Sequence, residues 1–316
     1  MGAFASGIIL YGMVFLYGSA GSTNLKDIGA AVATQGAGNP ALLVAMVLLT
    51  AGFGFKVAAV PFHMYLPDVY EGAPTPVAAF LAGGSEVASI AVLIRIFAVA
   101  IPGLQDSAWI LLWVLSFLTM TIGNVVAIAQ KNIKRMLAYS SIAHVGYVLI
   151  GIAAGTPRGY HAVLFYTFAY CLMKLGAFGL VVLVCRGEVK GDQIDDFNGL
   201  AQRSPVAAGA MLLFLISLAG IPPTAGFLGK FYVFGAAIEA GYVWLALFGV
   251  INSAISLFYY MQVARAMYMT EEAARPAALS WSLPLKVALV VTALGTLVFG
   301  LYPTPLYGFI SGLVSF

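Results

Sequence analysis

Nine runs of apolar and small residues alternate with short polar stretches, at 2–18, 41–62, 74–101, 108–129, 134–154, 160–185, 205–238, 241–268 and 285–312. A helix that crosses a bilayer needs about 20 predominantly apolar residues. The pattern therefore predicts an all-α polytopic membrane protein, with residues 1–316 forming one transmembrane domain of about nine spans. Residues 19–39 and 186–204 read as the two longest polar connections. The second, RGEVKGDQIDDFNGLAQRS, mixes both signs of charge and reads as a solvated connector.

Two spans are irregular. In 41–62, Lys56 stands in the run FGFKVAAVP, five residues before Pro61. In 205–238, Gly220-Ile-Pro-Pro-Thr224 places Pro222 and Pro223 six or more residues before Lys230, in GFLGKFYV. A proline inside a helix removes a backbone hydrogen bond and clashes with the preceding turn. In lipid, such a break survives only where protein or water satisfies the freed groups. Both spans are expected to be broken helices, each with one lysine. They lie an odd number of spans apart and so cross in opposite directions, the pattern of an inverted repeat.

Composition supports the same class. The chain is 62% hydrophobic and 9% charged, with mean hydropathy +0.98, against roughly 25% charge in soluble domains. A sizeable water-soluble domain is excluded, and the absence of a basic patch with interleaved aromatics excludes nucleic-acid binding. Cys171 and Cys185 fall about four turns apart on one predicted helix and read as packing residues. No Cys or His pair has metal-ligand spacing, so no metal site is expected in this chain. No charged n-region follows Met1, and the start reads as the continuation of a larger protein whose earlier helices are missing.

Lysine and arginine in loops set orientation. Lys131, Lys134, Arg135, Arg186, Lys190, Arg203, Arg265, Arg275 and Lys286 collect on one side, against Lys26, Arg158 and the span-end Arg95 on the other. The richer side is expected to be cytoplasmic, with Met1 inside and Phe316 outside.

Five ionisable residues fall near mid-membrane: Lys56, Glu86, His144, Lys174 and Lys230. Each costs roughly 2.5–3.5 kcal/mol at a lipid-facing helix centre, so they are expected to face one another or a hydrated interior. A row of titratable groups of both signs is what proton transfer across a membrane requires. Plainer readings compete: Lys56 snorkelling to the headgroups, His144 as a hydrogen-bonded packing residue, and Glu86 with Lys174 as a static pair. In the first reading Glu86 and Lys174 face each other directly or through water, with His144 close by. His63, Asp68 and Glu71 fall at the membrane boundary.

The stretches FKVAAVPFHMYLPDVYEGAPTPVAAFL, NIKRMLAYSSIAHVGY and SLAGIPPTAGFLGKFYV together resemble the subunit N family of NADH-quinone oxidoreductases, the antiporter-like membrane subunits of respiratory complex I. The resemblance extends over essentially the whole chain. It implies a proton-pumping subunit without redox centres; NADH, flavin, iron-sulfur and quinone would be bound by partner subunits. The implied partners are other membrane subunits, the lipid bilayer and, indirectly, the quinone pool. The implied location is the cell membrane. By this likeness Lys56 and Lys230 match the lysines of the family's two broken helices. Two departures stand out. The family has an earlier helix with a glutamate that partners the first lysine, and Glu86 stands where the family usually has a lysine. Other readings are a subunit of a multisubunit cation/proton antiporter or an incomplete fragment with a scaffold role. A membrane enzyme acting on lipid is disfavoured, because no metal-binding pattern surrounds the adjacent acidic pair Asp195-Asp196.

Overall fold

The computed structural model describes residues 2–185, 192–270, 279 and 281–313. Arg186, Lys190 and Arg275, counted above toward orientation, lie outside the described residues, as do Met1 and Phe316.

Among the described residues thirteen principal helices carry the fold. They are α1 Gly2–Ala20, α2 Leu25–Gln35, α3 Pro40–Lys56, α4 Tyr65–Gly72, α5 Thr75–Ala100, α6 Gln105–Ile128, α7 Ile133–Ala153, α8 Pro157–Val184, α9 Pro205–Ala219, α10 Ala225–Glu239, α11 Val243–Met269, α12 Leu283–Leu301 and α13 Thr304–Leu313. Seven are long and apolar enough to cross a membrane: α1, α5, α6, α7, α8, α11 and α12. The protein is a multi-pass membrane protein. Seven of the expected spans each contain one of these long helices, and the other two are the interrupted ones.

Two boundaries differ from expectation. Residues 19–39 are not simply a loop. Asn24 caps α2 by accepting from the Lys26 N–H at 2.9 Å, and α2 meets α3 at 113°. Span 285–312 is two helices, because Pro303 has no N–H to continue α12 and α13 restarts after it.

α7 is the central helix. Every residue in it except Arg135 and Tyr139 is buried, so its polar residues must find partners inside the protein. α12 is peripheral, with buried positions only at Leu289, Thr292 and Thr296. α1 packs tightly on α3: a Cβ on Gly52 would come within 3.2 Å of the Ala5 carbonyl and closer to Ile9. Small residues permit such close approach between membrane helices.

The first break runs from Val57 to Met64, between α3 and α4. Its backbone groups are satisfied internally: Ala59 N–H donates to Gly54 O at 2.7 Å and Phe62 N–H to Ala59 O at 2.7 Å. Val60 N–H donates to Thr119 Oγ1 on α6 at 3.0 Å. The second break, 220–224, begins at Gly220, whose φ of +88° suits a residue without Cβ. Its N–H donates to Ile216 O and Ser217 O, both at 3.0 Å. The two halves nearly touch across this break. Gly226 N–H donates to Ser217 Oγ at 3.2 Å.

α5 contains two wider turns, at Leu81–Ser85 and Ile96–Ala100. In the first, the Glu86 N–H bonds Leu81 O, five residues back. Such turns inside α-helices often mark functional sites. Cys171 Sγ fills the opening by donating to Gly83 O at 3.2 Å.

Candidate functional site

The second break presents an anionic helix end to a lysine. Lys230, on the second turn of α10, donates to Leu218 O at 3.0 Å, Ala219 O at 2.9 Å and Ser253 Oγ at 2.7 Å. All three ammonium hydrogens are therefore used. The two carbonyls are orphans of the α9 C-terminus, where the helix dipole is negative. The ammonium also lies 4.7 Å from the Tyr147 ring centroid, a favourable cation–π distance. A cavity of about 350 Å³, lined by Phe227, Lys230, Phe231, Phe234 and Ser253 among others, adjoins it.

The first break treats its lysine differently. Lys56 is the last residue of α3 and its side chain is exposed. The expectation that all five mid-membrane ionisable residues are buried is corrected here. α1 packs on α3 as far as Ala5 opposite Gly52, and Lys56 lies one turn further along α3. A shallow apolar cavity of about 250 Å³, lined by Phe4, Ala51, Phe55, Pro61, Phe62 and Tyr65 among others, lies beside this end of α3.

Glu86, His144 and Lys174 are 3%, 3% and 0% exposed, and each is held by hydroxyl groups. Glu86 Oε1 accepts from Tyr70 at 2.5 Å and Oε2 from Tyr170 at 2.6 Å. Lys174 donates to Leu137 O at 2.7 Å and Ser140 Oγ at 2.9 Å. Ser140 Oγ meets Tyr260 at 2.5 Å. Tyr260 bonds His144 Nε2 at 3.2 Å, and Tyr166 bonds His144 Nδ1 at 2.5 Å. Of the direct or water-bridged facing expected for Glu86 and Lys174, the direct form is not found: among the described residues no ion pair joins them. Tyr170 stands between. Its hydroxyl holds Glu86, and the Lys174 ammonium lies 5.6 Å from its ring centroid.

The polar string continues toward Lys230. The Tyr260 and Tyr259 ring centroids are 4.4 Å apart. Tyr259 donates to Asn124 Oδ1 at 3.0 Å, and Asn124 Nδ2 donates to the Tyr147 hydroxyl at 3.0 Å. Tyr147 is the ring beneath Lys230. Glu86, Lys174, His144 and Lys230 are thus drawn into one buried polar system, and Lys56 remains outside it.

Sequence reasoning missed the tyrosines, serines and Asn124. A signal was present. Tyr166, Tyr170 and Lys174 recur every four residues on α8, and Leu137, Ser140, Ser141 and His144 recur at helical spacing on α7. Each set shares one helix face.

The boundary residues form a separate clamp. Arg135, at the start of α7, bonds Asp68 at 2.7 Å and Glu71 at 2.8 Å. Lys134 pairs with Asp192 at 3.2 Å and donates to Glu71 O at 2.8 Å and Ala73 O at 3.3 Å. This ties α4 and its C-terminal end to α7. His63 is buried and joins no buried polar string.

Residues 1–256 match the model of the NADH:quinone oxidoreductase/Mrp antiporter transmembrane family. The chain is 48% identical to NADH-quinone oxidoreductase subunit N of Trichlorobacter lovleyi, over 98% of this chain and 64% of that protein. The chain thus spans a little under two thirds of the length of that curated relative. A solved structure of respiratory complex I from Thermus thermophilus with bound aureothin contains a similar chain, with 34% identity and TM-score 0.80, over 97% of this chain and 66% of that one. The Mrp complex from Dietzia sp. DQ12-45-1b contains another, with 25% identity and TM-score 0.88, over 98% and 65%. With two broken helices, a buried lysine at the second break and a family match over most of its length, the chain belongs to the NADH:quinone oxidoreductase/Mrp antiporter transmembrane family.

Proposed function

We propose that this chain is a proton-translocating membrane subunit of an NADH:quinone oxidoreductase, acting as one antiporter-like transmembrane unit. Electron transfer from NADH to quinone takes place on partner subunits, which hold the flavin, iron-sulfur and quinone sites. This chain moves protons. The observation that carries the reading is the buried polar string from Glu86 through Lys174 and His144 to Lys230. Ionisable groups in a membrane interior are costly to keep and typically mark proton relays. Lys56 and Lys230 serve as the proton-holding groups of the two breaks, with Glu86, His144 and Lys174 carrying protons between them once a partner group joins Lys56 to the string. The exposed ammonium of Lys56 requires an acidic partner from a neighbouring helix. The surplus of lysine and arginine near α7 supports a cytoplasmic location for that side, in the cell membrane, with the N-terminus inside and the C-terminus outside.

The test is made in the assembled complex, in membrane vesicles. Lys230→Ala should leave NADH-driven quinone reduction measurable while protons moved per NADH fall. Pumping equal to wild type overturns the reading. A second reading, a subunit of a cation/proton antiporter, is favoured by the close structural match to the Mrp chain. Proton movement that requires Na⁺ and proceeds without NADH would select it.

A further inference from the structure

A buried carboxylate and a buried ammonium that do not pair are an unusual combination. Desolvation penalises both charges, and only direct contact repays it well. Glu86 and Lys174 have the burial without the contact. What lies between them is a phenol with two neighbours. The Tyr170 oxygen is 2.6 Å from Glu86 Oε2 and 2.7 Å from Ser141 Oγ. A phenol has one hydrogen and can donate to only one of the two at a time. Ser141 sits on the turn of α7 that also holds Lys174: the Lys174 ammonium donates to Leu137 O, the helical acceptor of the Ser141 N–H, and to Ser140 Oγ.

We propose that Tyr170 is a relay residue that exchanges a proton between Glu86 and Lys174 by way of Ser141. The proposal rests on the proton-translocating reading above and deepens it. With Glu86 as the carboxylic acid and Lys174 as the neutral amine, the carboxylic hydrogen passes to the Tyr170 oxygen. The Tyr170 hydrogen passes to Ser141 Oγ, and the Ser141 hydrogen passes to the Lys174 nitrogen, which turns from Leu137 O to meet it. Three O–H bonds break, two O–H bonds and one N–H bond form, and the products are a carboxylate and an ammonium. The reverse exchange removes both charges at once. A charge arriving at either end of the string biases which state is held, because it acts with opposite sign on the two groups. Tyr70, donating to Oε1 at 2.5 Å, holds the carboxylate in the orientation that keeps Oε2 on Tyr170.

The experiment uses the whole complex in vesicles and reads protons moved per NADH across a pH series. Tyr170→Phe keeps the ring and removes the relay. It should lower pumping about a hundredfold, the low end of what positioned proton transfer supplies. A fluorinated tyrosine at position 170 keeps size and hydroxyl but alters phenol acidity, and should displace the pH profile of pumping. Wild-type pumping in Tyr170→Phe overturns the proposal. So does a fluorotyrosine profile that overlays wild type, even where the Phe variant is impaired, because a packing role would give that result. If Tyr170→Phe does not assemble, the fluorotyrosine profile alone decides. Glu86→Gln and Lys230→Ala are measured alongside. Wild-type pumping in both refutes the proton-translocating reading, whereas their impairment with Tyr170→Phe unaffected refutes only the relay.

Discussion

The Lys230 ammonium lies 2.9 Å from the Ala219 carbonyl oxygen and 3.0 Å from that of Leu218, so one half of a broken helix caps the other. Lys230→Met removes the charge and the cap together. Ala219 O keeps the Ser253 hydroxyl at 2.9 Å, but Leu218 O loses its side-chain donor. Leaving one buried acceptor unsatisfied costs about 1–3 kcal/mol. Thermal unfolding of the purified complex in detergent should register that loss, and vesicle pumping should fall at least about tenfold.

Lys56 should behave oppositely on stability. Its ammonium makes no ion pair or hydrogen bond among the described residues, and it is exposed. Surface substitutions away from special features stay within about 0.5 kcal/mol. Lys56→Ala should therefore unfold like wild type yet pump poorly. A large loss of stability would mean that the side chain has a structural partner.

The clamp around α4 gives an internal contrast. The Asp68 side chain is 71% exposed and Arg135 also holds Glu71, so Asp68→Asn should cost at most about 1 kcal/mol and less in high salt. Lys134→Met removes the donor to two backbone carbonyls and the partner of Asp192. It should cost about 1–3 kcal/mol. Denaturation at two salt concentrations separates the two.

Much of this architecture is written in residue order. The apolar run lengths mark the spans, and Pro61 and Pro222-Pro223 mark the breaks, because proline and bilayer thickness impose local rules. The site is less legible, because it depends on how helices are rotated about their axes. Nothing local says that Glu86 meets Tyr70 and Tyr170 rather than Lys174. The wider turn at Leu81–Ser85, which sets where Glu86 projects, has no proline to announce it. Tyrosines inside apolar runs look like packing residues until a partner within hydrogen-bond reach is known. The exposure of Lys56 was hidden for the same reason. It shares helical spacing with buried Leu49, Gly52 and Phe53, yet stands exposed.

Glu86→Gln tests the revised geometry. A direct ion pair would make this change cost about 3–5 kcal/mol, by leaving Lys174 buried without its partner. With the carboxylate held by two phenols instead, glutamine keeps one acceptor and the loss should be nearer 1–3 kcal/mol. In a double-mutant cycle with Lys174→Met, the coupling energy should be about 1 kcal/mol or less, since the two side chains share Tyr170 but not a contact. Coupling of several kcal/mol would restore the direct pair.

The second break also depends on one glycine. A Cβ on Gly226 would lie 1.9 Å from the Ser217 carbonyl oxygen, a backbone atom that cannot rotate away. Gly226→Ala must push the start of α10 off the last turn of α9. Lys230 lies one turn further along α10, so the same displacement draws its ammonium away from Leu218 O and Ala219 O. Overpacking of this kind costs about 1–3 kcal/mol or more, and here it also removes the cap. Gly235, on the same helix, has nothing within 4 Å of its would-be Cβ. Gly235→Ala should be neutral, or stabilising by up to about 1 kcal/mol through helix propensity. Comparing the two variants by thermal unfolding and by vesicle pumping isolates the contact between the half-helices from any general effect of adding a methyl group. Equal behaviour of the two would show that α9 and α10 do not rely on this close approach to place Lys230.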